Sequence, residues 1–367
     1  MQRIVGLVEE ALVSGVGSAA AVSVGDGGRE IFRHVCGRAR RLPEPGPEID
    51  ERAWFDLASL TKPMATVACA MVLAGEGRLD LDEPVRRWIP GAATVGTVRE
   101  LLGHASGCIA HVELFRTLRR GAHPDRRAEL IDLAARVPAQ PPGAATVYTD
   151  LGFLQLGAVV ERAAELPLER AFAELVAGPL DLGARYVPTG EGAAPLAGAV
   201  ATELVDPHAD DAPPRGLVEG FVHDENAFYG GGVCGHAGLF ATIGDVARFA
   251  AAIVQTWRGE PRGRLRPEVV RRFASDRAAP TTTWRLGWDT PSVEPGVSSA
   301  GDRWPRAHAI GHTGFTGTSI WLDLARGRWV VLLANRVHPT RGGTSADDIK
   351  ALRRAVADTV VDALGLP

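Results

Sequence analysis

Ser59 and Lys62 stand three residues apart in the segment Ser59-Leu-Thr-Lys62. Lysine and arginine together account for 40 residues, yet the lysines are Lys62 and Lys350, so arginine is the usual basic residue of this chain. A lysine can release its proton, whereas a guanidinium does not. A lysine one helical turn from a serine hydroxyl therefore indicates proton transfer around a serine nucleophile. The same spacing also arises when a serine caps a helix and the lysine is solvated.

Tyr148-Thr-Asp150 is the second segment with suitable chemistry. It follows Pro142-Gly143 and precedes a helical pattern over residues 151–165, and its phenol is one of three in the chain. A phenol near a serine can carry a proton to or from it. The alternative is a packed tyrosine followed by Asp150 as a helix N-cap.

Gly311-His312-Thr313-Gly314-Phe315 is the third segment, and it lies in a strand pattern. Its two glycines let a substrate approach the backbone, where the amide of Phe315 can donate a hydrogen bond. The alternative is a histidine that simply packs within the strand.

The surrounding pattern supplies elements that could position these segments. Residues 1–15 predict an amphipathic helix, and residues 59–74 predict a buried helix that starts close to Ser59. Strands are predicted at 19–24, 30–36, 308–314, 319–324 and 328–335, with the first two joined by a turn at 25–28. Further helices are predicted from 243 to about 256 and from Ser345 to Leu364, and a long ordered loop is predicted over 188–232.

These elements predict an α+β fold in one catalytic domain spanning 1–367. Residues 1–95 and 232–367 would form an antiparallel five-stranded sheet flanked by the N- and C-terminal helices. Residues 96–231 would form a mostly helical insertion with the long loop, and the junction of the two parts would leave a cleft.

Ser-x-x-Lys, Tyr-x-Asp and His-Thr-Gly, in this order, resemble the motifs of the serine β-lactamase and penicillin-binding protein superfamily. The resemblance is to the branch with class C β-lactamases, D-alanyl-D-alanine carboxypeptidases and esterases, and it covers nearly the whole chain. It extends to two further segments, Leu101-Leu-Gly-His104-Ala-Ser106-Gly107 and Gly235-His236-Ala-Gly238-Leu239-Phe240.

The resemblance implies a β-lactamase/transpeptidase-like fold and an acyl-serine mechanism without a cofactor. Ser59 would attack a carbonyl, Lys62 and Tyr148 would share the general-base work, and the amides of Ser59 and Phe315 would form the oxyanion hole. Which group takes the first proton is open, and we favour a Tyr148 phenolate held by Lys62. Deacylation by water would complete hydrolysis.

Two departures from the family pattern bear on the substrate. His312 replaces the lysine common in β-lactamases, and Asp150 replaces the asparagine. Both changes disfavour a substrate carboxylate near the nucleophile, since like charges in contact cost on the order of 1 to 4 kcal/mol. We therefore expect a small-molecule ester or amide as substrate, with a true β-lactamase or D-Ala-D-Ala carboxypeptidase as one alternative and a non-catalytic ligand-binding member as another. An α/β-hydrolase is discarded because Gly-x-Ser-x-Gly is missing.

Other candidate site residues depend on weaker signals. Thr313, Gly314, Trp288, His223 and Asn226 are expected to line the cleft, with Trp284 and Trp304 as further candidates for an apolar wall and buried packing as the alternative for these tryptophans. Histidines beside carboxylates at 206–211 and 223–226 resemble metal sites, but they have no helical His-x-x-x-His or cysteine partner, so we expect no metal.

The composition narrows the class of partner. A formal net charge of −4 with interleaved arginines gives no basic surface for nucleic acid. Glu9 and Glu10 interrupt the apolar pattern at the start of the chain, so it does not resemble a signal peptide, and no apolar run approaches the length of a membrane span. We therefore expect a cytoplasmic protein that binds no membrane, with four scattered free cysteines.

Overall fold

The computed structural model describes residues 1–121, 123–206, 215–280, 282–343 and 346–365. In that part of the chain the strands are β1 (Ala19–Asp26), β2 (Arg29–Gly37), β3 (Phe55–Asp56), β4 (Arg185–Tyr186), β5 (Glu203–Val205), β6 (Gly216–Val218), β7 (Leu239–Ala241), β8 (Ala309–Thr313), β9 (Ser319–Asp323) and β10 (Arg328–Ala334). The strands β2-β1-β10-β9-β8 form one antiparallel sheet in that order. Two smaller sheets have the orders β3-β7-β4 and β5-β6.

The helices cover both faces of the main sheet and most of the middle of the chain. They are α1 (Gln2–Val13), α2 (Ala68–Gly75), α3 (Val85–Trp88), α4 (Val98–Leu102), α5 (Phe115–Leu118), α6 (Arg126–Arg136), α7 (Asp150–Ala164), α8 (Leu168–Phe172), α9 (Glu225–Tyr229), α10 (Ile243–Trp257), α11 (Pro267–Ser275) and α12 (Ala346–Leu364). A 3₁₀ turn at Ala58–Leu60 and a π-helical turn at Lys62–Val67 precede α2, and a second π-helical turn lies at Ala173–Ala177.

The main sheet separates two hydrophobic cores, and alternate side chains of its central strands point into one core or the other. Ala20, Val22 and Val24 of β1 pack under α1 and α12, while Ala19 and Ala21 face the larger core of the helical side. This alternation follows from the pleat of a strand, which sends successive side chains to opposite faces. The predicted five-stranded antiparallel sheet flanked by the N- and C-terminal helices is therefore confirmed, and both of these helices pack on the same face of the sheet.

The first hairpin is tighter than the sequence suggested. Gly25 was expected in the turn, but β1 continues to Asp26 and the turn is confined to Gly27 and Gly28. The reason is a close approach inside the sheet, since a Cβ on Gly25 would lie 2.2 Å from the indole of Trp329. The glycine therefore accommodates a neighbouring side chain and lies inside a strand.

The region predicted as a long loop contains regular structure in its described part. β5, β6 and α9 all lie within 188–232, and residues 207–214 are outside the described residues. The predicted start of the last helix at Ser345 also lies outside them, and the described helix runs Ala346–Leu364. Three-residue strands carry too little periodicity to be recognised in a sequence rich in glycine, proline and alanine.

One helical segment of the described chain, Ala58–Gly75, is long and apolar enough to cross a membrane by length and composition. No apolar run of that length was expected from the sequence, so this segment corrects that expectation. Because 83% of the segment is buried in the fold, its apolar character is accounted for by packing in the core. The same segment carries Ser59 and Lys62.

Candidate active site

Ser59 is presented by a turn with a strained residue beside it. Ala58 has φ of +47°, a left-handed conformation that is uncommon for a residue with a Cβ. Its amide donates to Asp56 Oδ1 at 2.8 Å, which holds the turn in place. Such strained conformations cluster at functional sites, where the surrounding structure maintains them. Ser59, the next residue, lines the cavity beside β8.

Lys62 is fully buried and its ammonium donates to three acceptors. These are Ser59 Oγ at 3.0 Å, Asp150 Oδ1 at 2.7 Å and the carbonyl of His236 at 3.2 Å. An ammonium has three hydrogens, so each has an acceptor. Burial alone would lower the pKa of Lys62, but the carboxylate of Asp150 and the phenol of Tyr148 outweigh burial and raise that pKa above its ordinary value. Lys62 is therefore a cation at neutral pH.

Asp150 lies at the first position of α7, between two bases. One oxygen accepts from Lys62, and Oδ2 lies 3.3 Å from Nδ1 of His111. Burial would raise the pKa of Asp150, but Lys62 and the hydrogen bond with His111 lower it far below its ordinary range. The Asp150 carboxylate is thus ionised and neutralises the charge of Lys62.

Tyr148 lies over Lys62, with Nζ 4.8 Å from the ring centroid. Burial raises the pKa of Tyr148, and Lys62 offsets this only in part because Asp150 acts in the opposite direction. The sequence motifs favoured a resting phenolate at this position, whereas the direction of the pKa shift favours the neutral phenol. The phenol is neutral at neutral pH, although Lys62 and Ser59 both lie close enough to influence its proton.

His312 is also neutral in this site. Its Nδ1 donates to the carbonyl of Thr313 at 2.9 Å, while Nε2 is buried without a partner in the described residues. Burial, with Lys62 as the next cause, lowers the pKa of His312 to about 3. His312 therefore presents an uncharged acceptor where β-lactamases commonly carry a lysine.

The end of β8 lies against the turn that carries Ser59. A Cβ on Gly314 would lie 2.6 Å from the carbonyl of Leu57, so this contact needs a glycine. Among the described residues no acceptor is found for the amides of Ser59 and Phe315, the two proposed oxyanion donors. Free amides beside a nucleophile can stabilise a developing oxyanion.

A cavity of about 320 Å³ contains most of these groups. One side of it is lined by Ser59, Tyr148, Trp284, His312, Thr313, Gly314 and Phe315. Its other walls include Asp289, Arg336, Ala346, Ile349, Lys350 and Arg353. The volume suits a small molecule.

Trp288 does not line this cavity, which corrects the sequence expectation. Its side chain is fully buried and stacks on Phe249 with ring centroids 6.3 Å apart. Trp284 forms the aromatic wall, while Trp304 belongs to the core under α12. The sequence did not indicate which of these tryptophans faces the cavity, because all three occur near the same strand, β8.

His223 and Asn226 are also placed in supporting positions and not on the cavity wall. His223 is bonded to Glu203 Oε2 at 2.9 Å and stacks on Phe315 at 5.7 Å. Asn226 accepts from the amide of Phe115 and donates to the carbonyl of Val112, both at 2.8 Å. These side chains fix loops because their polar atoms already have protein partners.

Within the described residues no group of three or more histidines, cysteines and carboxylates could hold a metal ion. Most of the 206–211 segment, including His208, lies outside those residues.

Several residues around the site were not predicted from the sequence. His104 and His236 were noted as parts of the resemblance but without a role, and His111 was not noted. The carbonyl of His236 accepts from the ammonium of Lys62, and Nε2 of His236 donates to Asp224 Oδ1 at 3.0 Å. The two segments that extend the family resemblance contain His104 and His236, and this was the signal that could have identified them. Nothing in the sequence indicated His111.

A comparison with protein-family models matches residues 5–355 to the family described as Beta-lactamase. The chain belongs to the Beta-lactamase family. Among its curated relatives is a putative D-alanyl-D-alanine carboxypeptidase of Escherichia coli (strain K12), 30% identical over 332 residues that cover 84% of this chain and 76% of the relative. Another is an N-acetylmuramyl-L-alanine amidase of Bacillus subtilis (strain 168), 29% identical over 366 residues that cover 92% and 81%.

Solved structures share the fold of this family member. One is EstCE1, a hydrolase with promiscuous acyltransferase activity, at a TM-score of 0.72 and 22% identity, covering 97% of this chain and 98% of that one. Another is an octameric penicillin-binding protein homologue from Pyrococcus abyssi, at a TM-score of 0.71 and 17% identity, covering 99% and 77%. Serine hydrolase activity fits this chain, since the two curated relatives named above are named as a carboxypeptidase and an amidase.

Proposed function

We propose that this chain is a serine hydrolase that forms an acyl-enzyme at Ser59 and prefers esters, or amides without an adjacent carboxylate. The observation that carries the proposal is the buried Lys62, which bridges Ser59 and Asp150 next to a neutral His312. With Asp150 and neutral His312 around it, the nucleophile faces little net positive charge. A carboxylate close to Ser59 therefore gains little attraction.

The proton path follows from the protonation states. Lys62 donates to Ser59 Oγ, so the hydroxyl hydrogen of Ser59 is free to point elsewhere. As Ser59 attacks the carbonyl carbon, its proton passes to the oxygen of Tyr148, and the proton of Tyr148 passes to the leaving oxygen or nitrogen. A neutral phenol can perform both transfers in one step, so no resting phenolate is needed.

The remaining groups act on the intermediate. The amides of Ser59 and Phe315 donate to the oxyanion, and the fixed ammonium of Lys62 favours the developing charge. The leaving group then departs and Ser59 carries the acyl group. Water attacks the ester, its proton passes through Tyr148, and Ser59 regains a proton as the acid leaves.

A substrate with a more distant carboxylate is the second candidate. Arg336 and Arg353 are buried in the wall of the same cavity, and neither has a carboxylate within 4 Å among the described residues. Burial lowers the pKa of Arg353 to about 9, which leaves it charged at neutral pH. These cations favour a D-Ala-D-Ala-like acid, and two relatives of comparable length bear the carboxypeptidase or amidase names given above.

Steady-state hydrolysis of p-nitrophenyl butyrate, nitrocefin and a D-alanyl-D-alanine peptide tests the proposal. We expect the ester to be cleaved with the highest kcat/KM. His312→Lys should shift the preference towards nitrocefin by about tenfold or more, since one restored charge contact gives roughly 1.4 kcal/mol. His312→Gln is the matched neutral control and should not shift it. Fast nitrocefin turnover by the wild type without ester cleavage contradicts the proposal.

A further inference from the structure

The backbone on both sides of Tyr148 is held by one residue, His104. The carbonyl of His104 accepts from the amide of Val147 at 2.9 Å. Its ring Nδ1 accepts from the amide of Thr149 at 3.1 Å. The two amides that flank Tyr148 in the chain therefore bond to a single histidine, which fixes the direction in which the phenol projects.

The imidazole of His104 also contacts the phenol directly. Its ring centroid lies 4.8 Å from that of Tyr148 and 4.5 Å from that of Trp284. Trp284 in turn stacks on Tyr148 at 5.4 Å. Tyr148 is thus packed against a histidine and a tryptophan that also touch each other, and such a cluster restricts the ring.

The backbone conformation of His104 is one that costs free energy for a residue with a side chain. The residue is 1% exposed and has φ of +56°, in the left-handed region. A left-handed residue with a side chain persists when the surrounding structure holds it there. The amide of Asp150 is anchored separately to the carbonyl of Ala110 at 2.9 Å, so His104 acts on the Tyr148 side of this segment.

His104 lies outside the proposed path of the Ser59 proton. Its Nδ1 must be unprotonated to accept from Thr149, and it does not line the catalytic cavity. Burial, followed by the nearby charge of Lys62, lowers the pKa of His104 well below its ordinary value, which favours the form that accepts from Thr149.

From these contacts we propose that His104 is a positioning residue for Tyr148, whose ring nitrogen and carbonyl set the reach of the phenol towards Ser59. The inference rests on the proposed function, since it assumes that Tyr148 relays the Ser59 proton. A small displacement of such a group costs about 100-fold in rate even when the fold is intact.

Two substitutions separate the acceptor from the rest of the side chain. Asn and Gly both tolerate a left-handed backbone, but only Asn offers an oxygen near the position of Nδ1. His104→Gly should lower the single-turnover acylation rate constant with p-nitrophenyl butyrate about 100-fold, with the half-saturating ester concentration changed less than about threefold. His104→Asn should recover at least about tenfold of that loss.

His338 supplies a matched control. It is a buried histidine whose Nε2 accepts from the amides of Arg41 at 2.8 Å and Leu42 at 3.3 Å, and it does not line the catalytic cavity. His338→Gly should lower the melting temperature and leave the acylation rate constant within about twofold.

The decisive comparison uses Tyr148→Phe as background. If His104 acts through the phenol, His104→Gly should cause no further loss of acylation once the hydroxyl is absent. Losses that multiply, or a His104→Gly enzyme that is destabilised but acylates at the wild-type rate, overturn the inference. A wild-type enzyme that is not acylated at all would instead contradict the proposed function.

Discussion

Asp150 is one of the two residues at which this site departs from the motifs it resembles. Its carboxylate neutralises Lys62 and thereby weakens the effect of that cation on Tyr148. With an asparagine at this position, the ammonium would act on the phenol without compensation. In the proposed mechanism, the carboxylate of Asp150 therefore favours Tyr148 as a neutral proton relay over a resting phenolate.

Asp150→Asn tests this relation through the pH profile of ester hydrolysis. Asp150 raises the pKa of both Lys62 and Tyr148, so its removal lowers both pKa values. A neutral relay needs the protonated phenol, and we expect the alkaline loss of kcat/KM to move to lower pH in the variant. Activity that instead rises at neutral pH would support a phenolate base. Asp132→Asn, at an exposed pair with Arg136, is the control and should leave the profile unchanged.

At the scale of elements, Gly235 lies between α7 and the π-helical turn Lys62–Val67 and contacts both. A Cβ on Gly235 would lie 2.2 Å from the carbonyl of Phe153 and 2.8 Å from Cα of Gly157 in α7. The next residue, His236, gives its carbonyl to Lys62, and the carbonyl of Gly235 accepts from Thr66 at 2.7 Å. The close approach of Gly235 to α7 therefore fixes the backbone whose next carbonyl, that of His236, accepts from the ammonium of Lys62.

Gly235→Ala should destabilise the fold by about 1–3 kcal/mol through overpacking. It should also lower kcat, because a displaced His236 carbonyl loosens Lys62. Gly6→Ala is the matched control, since nothing lies within 4 Å of its Cβ in α1, and it should stabilise by up to about 1 kcal/mol. Urea unfolding and steady-state kinetics measure both effects. An unchanged free energy of unfolding in Gly235→Ala would contradict the contact.

The elements that the sequence predicted are those with strong local signals. The β1–β2 hairpin, the three C-terminal strands and the terminal helices have clear periodicity, and the structure confirms them. The positions of Trp284 and Trp288 could not be predicted, because which tryptophan faces the cavity depends on a turn near Gly287, where a Cβ would lie 2.1 Å from Val67. The pairing of Lys62 with Asp150 spans 88 residues and likewise has no local signal.

At the scale of the whole molecule, Glu203 ties distant parts of the chain to the site. It bonds His223, which stacks on Phe315, and it accepts from Arg341 beyond β10. Burial would raise the pKa of Glu203, but the hydrogen bonds with His223 and Arg341 lower it to about 2. The stabilisation from this carboxylate is present above its ordinary pKa and is lost as the pH falls towards 2.

Glu203→Gln should therefore flatten the acid dependence of stability. Between pH 6 and pH 3 the wild type should lose about 2 kcal/mol more free energy of unfolding than the variant. Glu48→Gln is the control, because the Glu48–Arg38 pair is largely exposed and such pairs contribute little. Urea unfolding at the two pH values measures the difference. Equal slopes in wild type and Glu203→Gln would show that the network does not stabilise the molecule.

The proposed reaction depends most directly on Ser59 as the nucleophile. Incubation with a fluorophosphonate or p-nitrophenyl butyrate, followed by rapid acid quench and peptide mass spectrometry, identifies the modified residue. We expect the wild type to carry one adduct on the peptide with Ser59, and we expect Ser59→Ala to carry none while remaining folded. Equal labelling of the wild type and Ser59→Ala, or an adduct on another residue, would contradict the account.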